Sequence, residues 1–116
     1  MDSNIIFSYT WDNAIDDGTF INVTETAKEL FKFPVAVTSN LFHTYIKDPN
    51  PTYQDGRLWD LLWMLHIACK MQKQKDSMIV YKVMFKGKTV EVMAVCEARG
   101  PDNPEPVLTI MLPEDR

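Results

Sequence analysis

The segment MIVYKVMFKGKTVEVMAVCEA, residues 78–98, decides the fold class of this chain. Two runs rich in β-branched and aromatic residues flank a short Lys-Gly-Lys connection, in which Gly87 can adopt the positive φ of a tight turn. The pattern predicts a β-hairpin with strands at about residues 78–86 and 89–98. After a proline-rich connection, VLTIML predicts a third strand at about residues 106–112, so the last third is expected to form an antiparallel meander.

Alternation within these strands separates an inner face from an outer face. The inner positions are Ile79, Tyr81, Val83 and Phe85, then Val90, Val92, Ala94 and Cys96, then Leu108, Ile110 and Leu112. The outer face is also apolar, with Met78, Val80, Met84, Met93, Val95, Val107 and Met111. Two interpretations remain open: a protein partner or a second copy of the chain covers this apolar outer face, or the N-terminal helices do.

The segment GRLWDLLWMLHIACK, residues 56–70, predicts a long helix from about residue 57 to residue 72, after a loop over KDPNPTYQDG. Trp59 and Trp63 are four residues apart, and leucines occupy much of the remaining helical surface. A helix that is apolar nearly all round normally lies centrally, with neighbours on most sides. We therefore expect both tryptophans in the core; the alternative is an aromatic docking face.

Short elements are expected before the long helix. Thr10 can cap a helix over residues 11–17 that Gly18 ends, TFINVT and FPVAVT are strand-like, Thr24 or Thr26 can cap a helix over ETAKELF, and Thr38 or Ser39 can cap a helix over NLFHTYI. Together these patterns predict an α+β fold in which the three-stranded meander packs with the long helix and short N-terminal helices. We expect a single domain over residues 1–116.

Composition narrows the classes of partner. The net charge of −4 over 116 residues provides no basic surface for a nucleic-acid backbone. The longest apolar run is interrupted by Asp60 and His66 and is shorter than the roughly 20 residues that a bilayer requires, so no membrane association is expected. The first ten residues do not resemble a secretory leader, and two cysteines are too few for a disulfide framework. Both features predict a cytoplasmic location.

The cysteines and histidines do not form a metal-binding pattern. His66 and Cys69 could share one face of the long helix, but the other candidate ligands, His43 and Cys96, follow no zinc-ligand spacing. We expect Cys69 and Cys96 to be reduced, buried and free of metal. No phosphate-binding or nucleophile-elbow motif is present, so we expect no cofactor and no assigned catalytic residue.

Arg57 and Asp60 stand out as charges in the predicted first turn of the apolar helix. The partial positive charge of a helix N-terminus favours Asp60 there but not Arg57. We therefore predict that Arg57 joins Asp60 to an acceptor near Asp17 or near Glu114 and Asp115. Two roles remain open for these five residues: a structural clasp, or a polar pocket that binds a ligand or a partner.

Three blocks of the chain resemble a family. FSYTWDNAIDDGTFINVTETAKELFKFPVAVT, GRLWDLLWMLHIA and LTIMLPED are similar to the characteristic segments of a small family of uncharacterised bacterial proteins, which carry a domain-of-unknown-function label and are often encoded on plasmids and integrative mobile elements. The resemblance implies a bacterial, cytoplasmic, single-domain protein with an accessory role. Our first hypothesis is a non-catalytic interaction protein; the alternative is a small ligand-binding domain or enzyme with a pocket around Arg57 and Asp60.

Overall fold

The computed structural model of the chain describes residues 9–72 and 76–116. Five strands, β1 (Phe20–Asn22), β2 (Val35–Thr38), β3 (Met78–Phe85), β4 (Lys88–Gly100) and β5 (Asn103–Met111), form one sheet in the order β1-β2-β5-β4-β3. The helices are α1 (Trp11–Asp16), α2 (Thr24–Ala27), α3 (Ser39–Leu41), which continues into a π-helix (Phe42–Ile46), and α4 (Pro51–Met71); a 3-10 turn (Pro113–Asp115) follows β5. The predicted α+β class is confirmed.

The predicted meander is confirmed as the C-terminal part of the sheet. β3 pairs antiparallel with β4, and β4 pairs antiparallel with β5. The hairpin between β3 and β4 closes at the pair Phe85 and Lys88, so its loop has two residues. Both loop residues have positive φ, 51° at Lys86 and 79° at Gly87, as expected for the turn type whose twist matches that of the flanking strands.

Two further strands extend the sheet beyond the meander. β2 pairs parallel with β5, from Val35 opposite Leu108 to Val37 opposite Ile110, and β1 pairs antiparallel with β2. The sequence predicts both segments as extended but does not indicate their place in the sheet. β5 has a strand on each side, so both of its edges are paired, and the residues of its apolar half from Val107 to Met111 are all buried between the helices on the inner face and α1 on the outer face.

The main core lies between the inner face of the sheet and the helices. α4 contributes Leu58, Leu61, Leu62 and Leu65, all buried. The inner positions of β3 follow the predicted alternation, with Ile79 half-buried and the next three buried. The Tyr81 hydroxyl donates a hydrogen bond of 3.0 Å to the Leu61 carbonyl. This contact fixes α4 against the edge strand β3.

The described residues cover the outer face of the sheet only in part. Trp11 of α1 packs against Ala36 and Val107, and its indole Nε1 donates to the buried Thr109 Oγ1 at 3.2 Å. Of the outer methionines, Met93 and Met111 are buried, whereas the outer positions of β3 are exposed. The alternative in which an N-terminal helix covers this face therefore holds for the β2–β5 part, where α1 packs, whereas β3 is left uncovered by the described residues.

The start of the long helix differs from the prediction. α4 begins at Pro51 and has 21 residues, so the segment 51–56 is helical rather than part of the loop. The Asn50 side chain caps the helix by accepting hydrogen bonds from the N–H groups of Thr52 and Tyr53. Proline at the first helical position lacks only an N–H that has no partner in a helix, so it starts α4 where we expected a turn.

The predicted caps are confirmed at two helices and wrong at one. Thr10 and Thr38 accept hydrogen bonds at the starts of α1 and α3, and Gly18 has the positive φ expected after α1. At α2, by contrast, the N-cap residue is Val23, which makes no side-chain cap. Thr24 instead accepts from the Val35 N–H at 3.1 Å, because β2 runs beside this helix.

Candidate functional site

Arg57 lies in the second turn of α4 and binds a different partner from the one predicted. Its Nη2 forms an ion pair of 2.9 Å with Asp48, and its Nη1 donates to the carbonyls of Ile46 and Lys47 at 3.4 and 3.3 Å. The predicted pairing with Asp60 and the chain ends is therefore wrong. A guanidinium is favourable beside the unpaired carbonyls at a helix C-terminus, so Arg57 ties the end of the π-helix to α4.

Asp48 is itself held in place. The Asn50 N–H donates to its carboxylate at 2.8 Å, and this hydrogen bond, followed by the charge of Arg57, holds the pKa of the Asp48 carboxyl below its usual range. The side chains of Arg57 and Asp48 are each 18% exposed. The arrangement joins two neighbouring segments, and its charges are paired with each other.

The other predicted site residues lie at separate places. Asp60 is exposed on the side of α4 that faces solvent, and Asp17 follows α1, where it accepts from Tyr9 and Thr19. Glu114 is exposed at a shallow cleft of about 320 Å³. Asp115 accepts from Thr38 Oγ1 at 2.7 Å and Asn40 Nδ2 at 2.9 Å, which ties the C-terminal turn to α3. Within residues 9–72 and 76–116, no hydrogen bond or ion pair joins any two of these five side chains.

A charged cluster that the sequence does not predict lies around Arg99 at the end of β4. Its guanidinium makes a two-pronged contact with Asp12, binds Glu105 Oε1 at 2.8 Å, and lies 5.4 Å from the ring centroid of Trp11. The hydrogen bonds from Arg99 lower the pKa of Asp12, and the two carboxylates raise the pKa of Arg99. A cleft of about 550 Å³ adjoins Arg99 and Trp11. Since both partners satisfy its charge, we interpret the cluster as the anchor of α1.

The side of α4 that faces solvent carries apolar residues beside charged ones such as Asp60, and the prediction that both tryptophans lie in the core is wrong. Trp63 is 43% exposed and Met71 is 76% exposed, whereas Trp59 and Ile67 are half-buried. The rings of Trp59 and Trp63 stack with centroids 6.4 Å apart. The buried leucines and the half-buried Ala68 of α4 pack against the core, whereas Trp59, Trp63, Ile67 and Met71 are not among the residues of that cluster. Trp59, Trp63, Ile67 and Met71 follow each other at intervals of four and form one row, which we call the α4 ridge.

The outer side of β3 forms a second exposed apolar surface, which we call the β3 face. It consists of Met78, Val80 and Met84, which are 37%, 53% and 64% exposed. β3 is the last strand of the described sheet, so only one of its edges is paired. A row of exposed apolar side chains on a free strand edge is a recurrent protein-binding surface.

The two cysteines line one mostly apolar cavity of about 320 Å³ between the end of α4 and the sheet. Both are free thiols, and burial is the main cause that raises the pKa of each. The prediction that both are buried is wrong: Cys69 is exposed, and Cys96 is only half-buried. Among the residues that the structure describes, no three histidine, cysteine or acidic side chains are grouped to hold a metal ion.

The fold and these surfaces define an α+β protein with an exposed apolar helix row and an exposed apolar strand edge. The described part of the chain contains no helix that is long and apolar enough to cross a bilayer. The chain belongs to the family described as Family of unknown function (DUF6573), whose model matches residues 1–116. Neither the curated proteins nor the solved structures that were compared with the chain match it.

Proposed function

We propose that this chain is a non-catalytic accessory protein of a bacterial mobile element, folded as a single cytoplasmic domain, which acts by binding another protein through the β3 face. The resemblance of the three sequence blocks supports the bacterial and mobile-element parts of the proposal. The β3 face supports the binding part. Within the described residues, α1 packs at the other end of the sheet and leaves this face exposed.

The observation that supports binding is that the residues of β3 with exposed apolar side chains also direct their backbone N–H and C=O groups to the free edge of the sheet. In a two-residue hairpin the closing pair exchanges backbone hydrogen bonds, and every second pair along the ladder does the same. From the closing pair at Phe85, the residues bonded to β4 are the inner ones, and the hydrogen bond from Cys96 N to Ser77 O fits this alternation. The outer residues Met78, Val80 and Met84 therefore direct their N–H and C=O groups to the free edge.

This combination favours a partner that adds an extended segment to β3. Main-chain hydrogen bonds along the free edge would supply affinity, and apolar side chains of the partner would lie over the β3 face. Lys82 lies between Val80 and Met84 and places one positive charge on the same face. A lysine on an edge strand also discourages unspecific strand pairing, which is consistent with a selective partner.

Site-specific photo-crosslinking in the organism that encodes the chain tests the proposal. A benzophenone amino acid replaces Val80 in one version and Asp102, an exposed turn residue at the far end of β4, in the control version. We expect a discrete protein to crosslink from position 80 and not from position 102, and we expect Met84→Glu to abolish that crosslink while the circular dichroism spectrum stays unchanged. Identical crosslinks from both positions, or persistence of the product in Met84→Glu, would refute the proposal.

A further inference from the structure

The proposed function does not use the cavity between the end of α4 and the inner face of the sheet. This cavity has a volume of about 320 Å³, and most of its wall is apolar. Sites for small molecules in proteins begin at about 300 Å³ and are lined mainly by apolar side chains, with a few polar groups that orient the ligand. The cavity therefore has the size and the wall of a small-molecule site.

The inner end of the cavity is apolar and buried. Leu65 of α4, Ala94 of β4 and Leu108 of β5 line it, and all three are buried. Phe33, which lies just before β2, adds an aromatic ring to the wall. A charged group placed against these side chains would lose its hydration without gaining a partner, which costs free energy. The part of a ligand that enters the inner end is therefore apolar and uncharged.

The outer end of the cavity is polar. Asp76 and Ser77, just before β3, are exposed, and Gln72 at the end of α4 is half-buried. A carboxylate, a hydroxyl and a side-chain amide can all accept a hydrogen bond, and the carboxylate also repels anions. A ligand whose apolar part fills the inner end thus meets acceptors at the outer end. This arrangement favours a hydroxyl or N–H group on the ligand.

Small side chains leave the cavity unfilled. Ala94 and Cys96 occupy successive inner positions of β4, and Cys69 lies in the last turn of α4. Unfilled apolar volume lowers the stability of a fold, and a molecule that fills it supplies the missing contacts. Burial raises the pKa of both thiols, so both are neutral near pH 7. A neutral, polarisable sulfur packs favourably against an aromatic ring.

We propose that this cavity binds a small uncharged aromatic molecule, with its ring at the apolar inner end and a hydroxyl or N–H group at the polar outer end. The volume suits a molecule of roughly ten non-hydrogen atoms, since about 30 Å³ corresponds to one water-sized group. The cavity lies on the inner side of the sheet and the β3 face on the outer side, so this binding does not depend on the proposed function.

Titration of the isotope-labelled chain with indole, followed by two-dimensional NMR, tests the proposal. Indole is an uncharged aromatic molecule with one N–H group, and indoxyl sulfate, the matched control ligand, carries the same ring system and a negative charge. We expect indole to shift the amide signals of Leu65, Cys69 and Cys96 in a saturable manner, and indoxyl sulfate to bind at least tenfold more weakly. Absence of saturation up to the solubility limit of indole, or equal affinity for the two molecules, would overturn the proposal.

A substitution that fills the cavity gives a second test. Ala94→Met places a longer side chain at the inner end, and Ala98→Met, the matched control variant, makes the same change at an exposed position of the same strand. We expect Ala94→Met to weaken indole binding at least tenfold and Ala98→Met to leave it unchanged. Native affinity for indole in a folded Ala94→Met chain contradicts the proposal.

Protection of Cys96 in the native chain needs no variant, so it also decides the case in which Ala94→Met does not fold. Alkylation by N-ethylmaleimide is located by mass spectrometry, and we expect saturating indole to slow it at least threefold at Cys96. An unchanged rate would show that indole does not occupy the cavity, and the proposal would then be wrong. The crosslink from position 80 is measured independently, so failure of indole binding and failure of the proposed function are distinguishable.

Discussion

Truncation of Leu62 tests the orientation of α4. Both the α4 ridge and the assignment of the core residues depend on that orientation. Leu62 is fully buried against the sheet, and Met64, two residues later and therefore on the opposite side of the helix, is 39% exposed. Leu62→Ala removes three carbon groups from the core, a loss of about 2.4 kcal/mol at roughly 0.8 kcal/mol each. The cavity that remains adds to this value, so we expect a total of about 2.5–5 kcal/mol.

Urea unfolding, followed by tryptophan fluorescence and circular dichroism, measures the free energy of unfolding of the native chain, of Leu62→Ala and of the control Met64→Ala. For a chain of this size the loss in Leu62→Ala corresponds to a fall in melting temperature of about 10 °C or more. Met64→Ala, the matched control, is expected to cost less than about 1 kcal/mol, since much of its side chain is already in water. A loss below about 1 kcal/mol in Leu62→Ala, or equal losses in both variants, would show that α4 is rotated from the orientation described.

Three further outcomes are expected. Tyr81→Phe should cost about 0.5–1.5 kcal/mol in the same titration, since it removes one buried hydrogen bond. The hydrogen bonds from Arg99 lower the folded-state pKa of Asp12 below its unfolded value of 3.8. The contact therefore stabilises the fold above pH 3.8, and this stabilisation is lost as the pH falls through the folded-state pKa. In Asp12→Asn we expect the free energy of unfolding to fall less steeply as the pH is lowered through this range. Because their pKa values are raised, Cys69 and Cys96 should react with a thiol reagent more slowly than free cysteine. Both thiols are expected to be free of metal, and stoichiometric zinc in the purified protein would contradict this.

Features that depend on neighbouring residues were predictable from the sequence. The alternation in β3 gave its inner face, Gly87 marked the hairpin turn, and Thr10 and Thr38 capped the helices that follow them. In each case the pattern and the structure involve residues within one turn or one strand, so local chemistry is sufficient. The start of α4 shows where such local patterns conflict, because Pro51 favours both a turn and a helix start.

Features that depend on distant residues were not predictable in this way. Pairing of β2 with β5 joins segments separated by α4 and the β3–β4 hairpin, and Arg99 meets Asp12 across 87 positions of the chain. Arg57 illustrates the same limit at short range. Its partner Asp48 lies in a connection whose path is set by the π-helix, so helical spacing pointed instead to Asp60. Charge pattern showed that Arg57 needed an acceptor but not which acceptor the fold would bring to it.

α4 has more apolar residues than its contact with the sheet uses, and this excess is the feature of the sequence that is most informative about function. Helical periodicity did not separate a buried side from a solvent side, because both are apolar, and the core interpretation followed from that uniformity. The structure divides them: leucines face the sheet, and the α4 ridge faces away. The ridge and the β3 face are then separated by the thickness of the sheet and the helix, roughly 20 Å. Occupation of one does not block the other.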